Sequence, residues 1–351
     1  MRDVAVVSFA QSRSVARDAL RNEVEIVMPV VTAAIERAGI DRKKIGFTCS
    51  GSSDYLAGVA FSFVTSLDAI GPWPPIEESH VEMDAAWALY EAWVRLQHGD
   101  VDSALVYGFG KSSLGDLPDI LSRQLDPYTV APLWADAISL GALQARAMLE
   151  AGRCTERDMA EVAVRSLADA RANPNAQRAG DETVASLLAK PYVCAPLREH
   201  DCAPISDGAS AVILAAGDLA RKLCKRPAWI RGIDHRIDSQ YLGARDLTAV
   251  PSAALAAVKA GAKRDKLDVA ELHAPFTHQE LLLRKEMGIA DNVRVNPSGG
   301  ALGAHPMMAA GLIRIGEAAQ RIHDGSADRA LAHATSGPWL QQNLVCVLEG
   351  D

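Results

Sequence analysis

The residues around His305 favour acid–base chemistry at that position. The segment from Val293 to Gly316 reads VRVNPSGGALGAHPMMAAGLIRIG, and its apolar spacing predicts a strand, a glycine turn and a helix over residues 306–323. A histidine just before that helix lies beside free backbone N–H groups and the positive end of the helix dipole, which favour a neutral imidazole. We therefore expect His305 to polarise a carbonyl or transfer a proton.

Three glycines precede this histidine. Gly299, Gly300 and Gly303 lack a Cβ atom, so we expect them to let the backbone approach a bound ligand closely. The competing interpretation is that His305 only closes the turn.

Two more histidines accompany apolar strands in the same part of the chain. His273 follows the run VAEL and precedes Pro275-Phe276, and His333 lies in the run ALAHATSG. Strand-to-helix turns converge on one side of a sheet, so these side chains can share one site with His305. A core role for His273 is the alternative, and we expect His278 to be solvated.

The pattern of apolar runs indicates an α/β protein built from two similar halves. Strands and helices alternate up to a fourth strand near residue 110, and the same element order starts again at Pro227. The part in between, about residues 111–205, is richer in Pro, Asp and Arg and predicts helices without a strong strand. We assign residues 1–220 to the first half, with residues 111–205 as a helical cap insertion, and residues 221–351 to the second.

Composition narrows the classes of partner. The chain has a net charge of −8 and lacks blocks of Lys or Arg, which argues against nucleic acid or an anionic membrane surface. No apolar run is long enough for a membrane span and the first residues resemble a strand, so cytoplasmic location is the expectation. The six cysteines are scattered without the spacing of a metal site or of a disulfide framework, so we expect no bound metal.

Several of these segments resemble the thiolase superfamily. Its C-terminal histidine loop has an Asn-x-x-Gly-Gly turn followed by Gly-His-Pro, and the NPSGG version at residues 296–300 is closest to the sterol-carrier-protein and lipid-transfer branch. VAELHAPF is similar to the HDxF motif of that branch. The resemblance implies a duplicated thiolase fold with five layers, α-β-α-β-α, a role for His273 in the oxyanion hole, and a dimer.

The chain departs from this family where thiolases carry their cysteines. By the resemblance, the nucleophile position in HVEMDAAWAL falls on Glu82, or on Met83 or Asp84 after a slip of one or two residues. Helix capping would also explain either carboxylate. The second cysteine position corresponds to the segment containing His333, which could replace it as acid/base, followed by Ser336 and Gly337 at the substrate loop.

A thiolase-like chain without these cysteines suits carbon–carbon cleavage that needs no acyl-enzyme. We expect retro-aldol cleavage of a β-hydroxyacyl-CoA, such as a sterol side-chain thioester, with His273 and His305 polarising the carbonyl and Glu82 or His333 as base. No cofactor is required beyond the CoA of the substrate. The alternatives are a non-catalytic or lipid-binding subunit of an active partner, and an ordinary acetyl-CoA acyltransferase. The resemblance also implies a zinc-ribbon and OB-fold partner protein.

Overall fold

The computed structural model describes residues 2–351, and ten of its strands form one hydrogen-bonded sheet. The strands are β1 Val4–Gln11, β2 Phe47–Gly51, β3 Glu78–Val81, β4 Ser103–Gly110, β5 Tyr192–Cys194, β6 Leu197–Arg198, β7 Gly208–Ala216, β8 Ala228–Ile237, β9 Val269–Leu272, β10 Arg294–Val295, β11 Arg329–Ser336 and β12 Gln342–Glu349. The α-helices are α1 Glu23–Ala38, α2 Asp54–Ala57, α3 Ala85–His98, α4 Leu117–Arg123, α5 Ala137–Glu150, α6 Glu156–Ala170, α7 Val184–Leu188, α8 Gly217–Leu223, α9 Pro251–Lys259, α10 Thr277–Met287, α11 Gly300–Gly303 and α12 Ala310–His323. Short 3₁₀ helices cover Arg42–Lys44, Ser62–Ile70, Ser112–Leu114, Ala131–Leu133, Glu199–Asp201 and Leu242–Ala244.

The sheet consists of two halves with the same internal order. In the first half β3, β2 and β4 are parallel neighbours, and β7 and β1 continue antiparallel; in the second half β10, β9, β11, β12 and β8 repeat that pattern. A short antiparallel pairing of β1 with β8 joins the halves, with Ala5 opposite Trp229 and Val6 opposite Ala228. This duplication confirms the predicted fold class.

Helices cover both faces of each half and form the predicted layers. Helices α3 and α12 pack together between the inner faces of the two half-sheets, around a core that includes Leu89, Leu312 and Val106. Helix α1 covers the outer face of the first half, and α9 and α10 cover that of the second. The N-termini of α3 and α12 meet in the middle layer, because the Ala85 N–H donates to the Met308 carbonyl over 2.8 Å.

Residues 111–205, the proposed insertion, contain α4 to α7 and a small β5–β6 hairpin that the sequence did not predict. The helical segment between β2 and β3 is interrupted. Helix α2 ends at Gly58, which has φ 72°, and a 3₁₀ helix follows. The division at residue 220 stays a proposal, and it falls within α8 between the strands of the two halves. Within residues 2–351, no helix combines the length and apolar character needed to cross a membrane.

Candidate active site

His273 and His305 lie side by side in the wall of one cavity. His273 follows β9 directly, and His305 lies in the segment between α11 and α12. Their Nε2 atoms are 2.8 Å apart, and the ring planes meet at 52°. The cavity has a volume of about 370 Å³, and both side chains line it. The structure therefore brings together the two histidines that the sequence proposed for one site.

Backbone contacts determine which nitrogens of this histidine pair carry protons. The Thr335 N–H points at Nδ1 of His273 over 3.3 Å, and since an amide N–H can only donate, this Nδ1 is unprotonated. In the neutral ring the proton is then on Nε2 of His273, which donates to Nε2 of His305. His305 accordingly carries its own proton on Nδ1, an atom without a protein partner among residues 2–351. The histidine pair thus offers one free N–H donor.

Burial keeps both rings of the histidine pair uncharged near neutral pH. It lowers the pKa of His305 to about 4, with Arg314 adding to the effect. The pKa of His273 is lowered well below its ordinary value by burial, and also by His305, His333 and Arg314. The predicted state was neutral, but the predicted cause was wrong: α12 begins at Ala310, so His305 does not lie at the helix end and the dipole is not the reason.

Of the candidate carboxylates, only Asp84 reaches the cavity. Glu82 is exposed, accepts a hydrogen bond from the Asp54 N–H and does not line the cavity. Asp84 is 3% exposed and lines the same cavity as the histidine pair. The prediction that Glu82 faces the site is therefore wrong. Asp84, two residues later, faces it instead.

Asp84 also joins the two central helices. Its Oδ1 accepts the N–H groups of Ala86 in α3 and Leu312 in α12, and its Oδ2 accepts that of Gly311. Helix α12 has no side-chain N-cap of its own. Asp84 therefore caps two helices: α3, which directly follows it, and α12, whose Gly311 lies 227 residues further along the chain. Burial raises the pKa of Asp84, against the lowering effect of these hydrogen bonds.

His333 lies beneath the cavity and is not part of its wall. It is fully buried, its Nε2 contacts Asn343 Oδ1 over 2.9 Å, and its carbonyl accepts the His273 N–H. Burial lowers its pKa to about 4. His333 therefore supports the histidine pair instead of facing a ligand, which corrects its expected contact with substrate. Ser336 and Gly337, just beyond it, do line the cavity.

None of the three glycines before His305 lines the cavity, and two of them face α6. Gly299 has φ 92°, and a Cβ atom there would come within 2.5 Å of the Ala170 Cβ atom. A Cβ atom on Gly303 would meet the same alanine at 3.4 Å. Gly300 has φ 60° and abuts Asn296. The glycines allow the loop to pack closely against its protein neighbours. The prediction that they let the backbone approach a ligand is therefore wrong.

The remaining cavity wall is mostly apolar and contains one thiol. Its apolar residues come from α2, α4, α5 and the segments around Phe276 and Met307, and include Leu56, Leu117, Leu121, Leu125, Ile138 and Met308. Cys202 also lines it, which no feature of the sequence predicted. Burial raises the pKa of its thiol to about 12, and Sγ lies 3.6 Å from the Arg198 carbonyl. The thiol is therefore protonated near neutral pH.

His278 is fully buried, contrary to the solvated position expected. It stacks on Phe276, neither ring nitrogen has a hydrogen-bond partner, and burial lowers its pKa to about 3. Among the described residues 2–351 there is no group of three or more His, Cys, Asp or Glu side chains arranged to hold a metal ion.

Known relatives resemble this chain over half to nearly all of its length. No protein-family model matches it. The acetyl-CoA acetyltransferase of Methanothermobacter thermautotrophicus is 26% identical over 369 residues, covering 96% of this chain and 95% of the relative. The benzoylsuccinyl-CoA thiolase subunit BbsB of Thauera aromatica is 26% identical over 202 residues, about half of each chain (51% and 52%).

Two solved structures share the fold. The Ltp2-ChsH2(DUF35) aldolase superposes with a TM-score of 0.79 at 20% identity, covering 99% of this chain and 98% of that one. Human mitochondrial 3-ketoacyl-CoA thiolase gives a TM-score of 0.76 at 16% identity, with coverage of 99% and 98%. The chain therefore has the thiolase fold.

Proposed function

We propose that this chain cleaves a β-hydroxyacyl-CoA by a retro-aldol reaction, as a member of the lipid-transfer branch that lacks the nucleophilic cysteine. The observation that carries the proposal is a neutral histidine pair in an apolar cavity whose helix-end position is filled by Asp84. The similarity to an aldolase of the same fold adds support. A carboxylate already bound to three backbone N–H groups is a poor acyl carrier, so acyl transfer is disfavoured.

The proposed reaction uses the histidine pair as electrophile and Asp84 as base. Each carboxylate oxygen can accept two hydrogen bonds; Oδ1 of Asp84 accepts two and Oδ2 accepts only one. Oδ2 therefore retains a site for the β-hydroxyl proton. When that proton leaves, the Cα–Cβ bond breaks, a ketone or aldehyde departs, and Nδ1–H of His305 stabilises the thioester enolate. The proton then returns to Cα, so no redox change occurs.

The cavity suits the acyl part of such a substrate. No Lys or Arg of residues 2–351 lines it, so its wall does not favour phosphate groups. Its apolar residues favour a bulky hydrocarbon, and we propose that the nucleotide of CoA stays outside. A sterol side chain is one such bulky hydrocarbon, and the cavity volume accommodates other acyl groups of this kind equally.

A second candidate is acyl transfer through Cys202. The acetyltransferase relatives and the position of this thiol in the cavity wall favour it. A thiol with a pKa of about 12 is rarely a thiolate near neutral pH, which counts against it. The third candidate is a subunit that supports an active partner chain, and the relative described as a thiolase subunit favours it.

We also propose that the chain works in an assembly. The aldolase of the same fold is named for two components, and the resemblance implies a zinc-ribbon and OB-fold protein as second component and a homodimer or heterodimer of thiolase-like chains. Tests of activity should therefore include a copurified partner.

The decisive experiment is product detection. The protein, alone and with its copurified partner, is incubated with β-hydroxyacyl-CoA thioesters, and mass spectrometry follows release of a ketone or aldehyde. His273→Ala and His305→Ala should each lower turnover by at least about 100-fold, whereas His98→Ala, at the exposed end of α3, should not. Unchanged turnover in both cavity variants would support the subunit role instead.

A further inference from the structure

A buried ion pair lies directly behind the histidine pair. Glu271 in β9 is 0% exposed, and Arg314 in α12 is 3% exposed. One carboxylate oxygen of Glu271 accepts the Arg314 Nη1–H over 2.8 Å and the Ser298 hydroxyl over 2.7 Å, and the other accepts the Ser298 N–H over 3.1 Å. Arg314 also donates to the Ser298 Oγ over 2.6 Å.

This cluster of Glu271, Ser298 and Arg314 connects the three segments that position the histidine pair. Strand β9, which contains Glu271, leads into His273 two residues later. The loop of Ser298 leads into His305, and the helix of Arg314 follows it. A single carboxylate therefore fixes the backbone on both sides of the pair. Removing either charge would leave the other buried and unpaired, which is strongly unfavourable.

We propose that Glu271 and Arg314 are positioning residues of the histidine pair: Glu271 keeps the two histidine segments in register, and the Arg314 cation adds to burial in opposing protonation of both imidazoles. The effect on turnover rests on the proposed function. The effect on protonation of the histidines does not.

The charges around the pair are consistent with this role. Burial is the largest cause of the lowered pKa of both histidines; Arg314 is the next cause for His305, and for His273 it acts after His305 and His333. Burial raises the pKa of Glu271 to about 7, opposed by Arg314 and reinforced by Glu317. The titratable or charged groups that face this cluster and the pair are Asp84 of α3, Arg165 of α6, Glu280 of α10, Glu317 of α12 and His333 of β11.

Those other groups are themselves held by specific contacts. Glu280 is bound by Arg165 and contacts the amide of Asn296, whose side-chain oxygen accepts the Leu272 N–H. Both arginines are paired with a carboxylate, but the Arg165 side chain is 33% exposed and that of Arg314 only 3%, so solvent screens the charge of Arg165 more strongly. The expected control of imidazole charge therefore depends on Arg314 more than on Arg165.

The test is an NMR titration of the full-length protein labelled with ¹⁵N-histidine, which needs no activity. In Arg314→Met the titration midpoints of His305 and His273 should rise by about one pH unit or more. Arg314→Lys, which retains a charge, should restore most of the wild-type values. Arg329→Met removes another largely buried arginine, at the far end of β11, and should leave both midpoints unchanged. Unchanged midpoints in folded Arg314→Met would overturn the role of the cation.

Ser298→Ala distinguishes the role of the cluster in positioning the histidine segments from the effect of the Arg314 charge on the titration midpoints. It removes the hydroxyl contacts of Glu271 and Arg314 and keeps both ions, so the midpoints should stay within a few tenths of a pH unit of wild type. Turnover should still fall about tenfold, because the His305 segment loses a tether. Wild-type turnover in Ser298→Ala would overturn the role in register. Should Arg314→Met fail to fold, Arg314→Gln, which keeps side-chain N–H donors for Glu271 and removes the charge, takes its place with the same expected rise of both midpoints, and unchanged midpoints in it would likewise overturn the role of the cation. A wild-type protein without cleavage activity would refute the proposed function while leaving the titration result valid.

Discussion

Nε2 of His273 donates a hydrogen bond to Nε2 of His305 across 2.8 Å. The direction of this bond follows from the Thr335 N–H at Nδ1 of His273. The two rings therefore act as one unit, in which the second ring receives a defined tautomer from the first.

The first prediction concerns that tautomer. At pH 7 the ¹⁵N spectrum should show both rings neutral, with the proton of His305 on Nδ1 and that of His273 on Nε2. Because the pKa of His305 is about 4, this state should persist on acidification to pH 5.5. Long-range ¹H–¹⁵N correlations at both pH values measure it, with assignments from the single alanine variants. A proton on Nε2 of His305 would contradict the proposed electrophile.

Because Asp84 caps both α3 and α12, removing its side chain should strongly lower the free energy of unfolding. Asp84→Ala deletes the acceptor of three buried N–H groups in α3 and α12, and the expected loss of unfolding free energy is roughly 3 kcal/mol. Urea unfolding measures it. Glu82→Ala removes the neighbouring exposed carboxylate and should cost less than about 1 kcal/mol. Equal losses of unfolding free energy in the two variants would refute the capping of both helices by Asp84.

The cavity thiol distinguishes cleavage from acyl transfer. Cys202→Ala removes the only cysteine among the residues lining the cavity, and retro-aldol turnover should stay within about threefold of wild type. Acyl transfer through this residue predicts complete loss instead. Intact-protein mass spectrometry after mixing with an acyl-CoA provides an independent readout, since a covalent acyl adduct on wild type alone would support acyl transfer.

Because His278 is buried and uncharged, the free energy of unfolding should fall in acid. Its folded pKa of about 3 lies below the ordinary 6.5, so the unfolded chain binds a proton that the native protein does not. Its contribution to stability is fully present above pH 6.5 and is lost as the pH falls towards 3. His278→Leu removes this loss, so its unfolding free energy should fall by about 2 kcal/mol less than wild type between pH 7 and pH 5. His98→Leu is the exposed control and should follow wild type.

The sequence predicted the duplicated fold because the apolar runs repeat in the same order in both halves. It also predicted that His273 and His305 share a site, since both follow strands of one half-sheet. It could not choose Asp84 over Glu82, because a slip of one or two residues along the motif exchanges them. The choice depends on the N-terminus of α12, which lies far away in sequence.

Two other errors have the same origin in long-range packing. The helix predicted from residue 306 starts at Ala310, because Met308 turns at φ 67° and Pro306 pairs with Ser206, which lies just before β7. His278 was expected to be solvated. Helices α6 and α9 both pack against α10, and no local pattern reports that covering.

The last prediction concerns the size of the acyl group. Gly141 in α5 faces Phe276, and a Cβ atom there would come within 2.7 Å of the phenyl ring. In Gly141→Ala the ring must move, and the free space beside it is the cavity that Phe276 lines. KM for a bulky β-hydroxyacyl-CoA should rise about tenfold, while a short-chain thioester should be little affected. Gly180→Ala, in open space, controls for the added methyl group. An equal rise in KM for both substrates would mean that the acyl group does not reach Phe276, because a wall that touches only the longer chain cannot affect the shorter one.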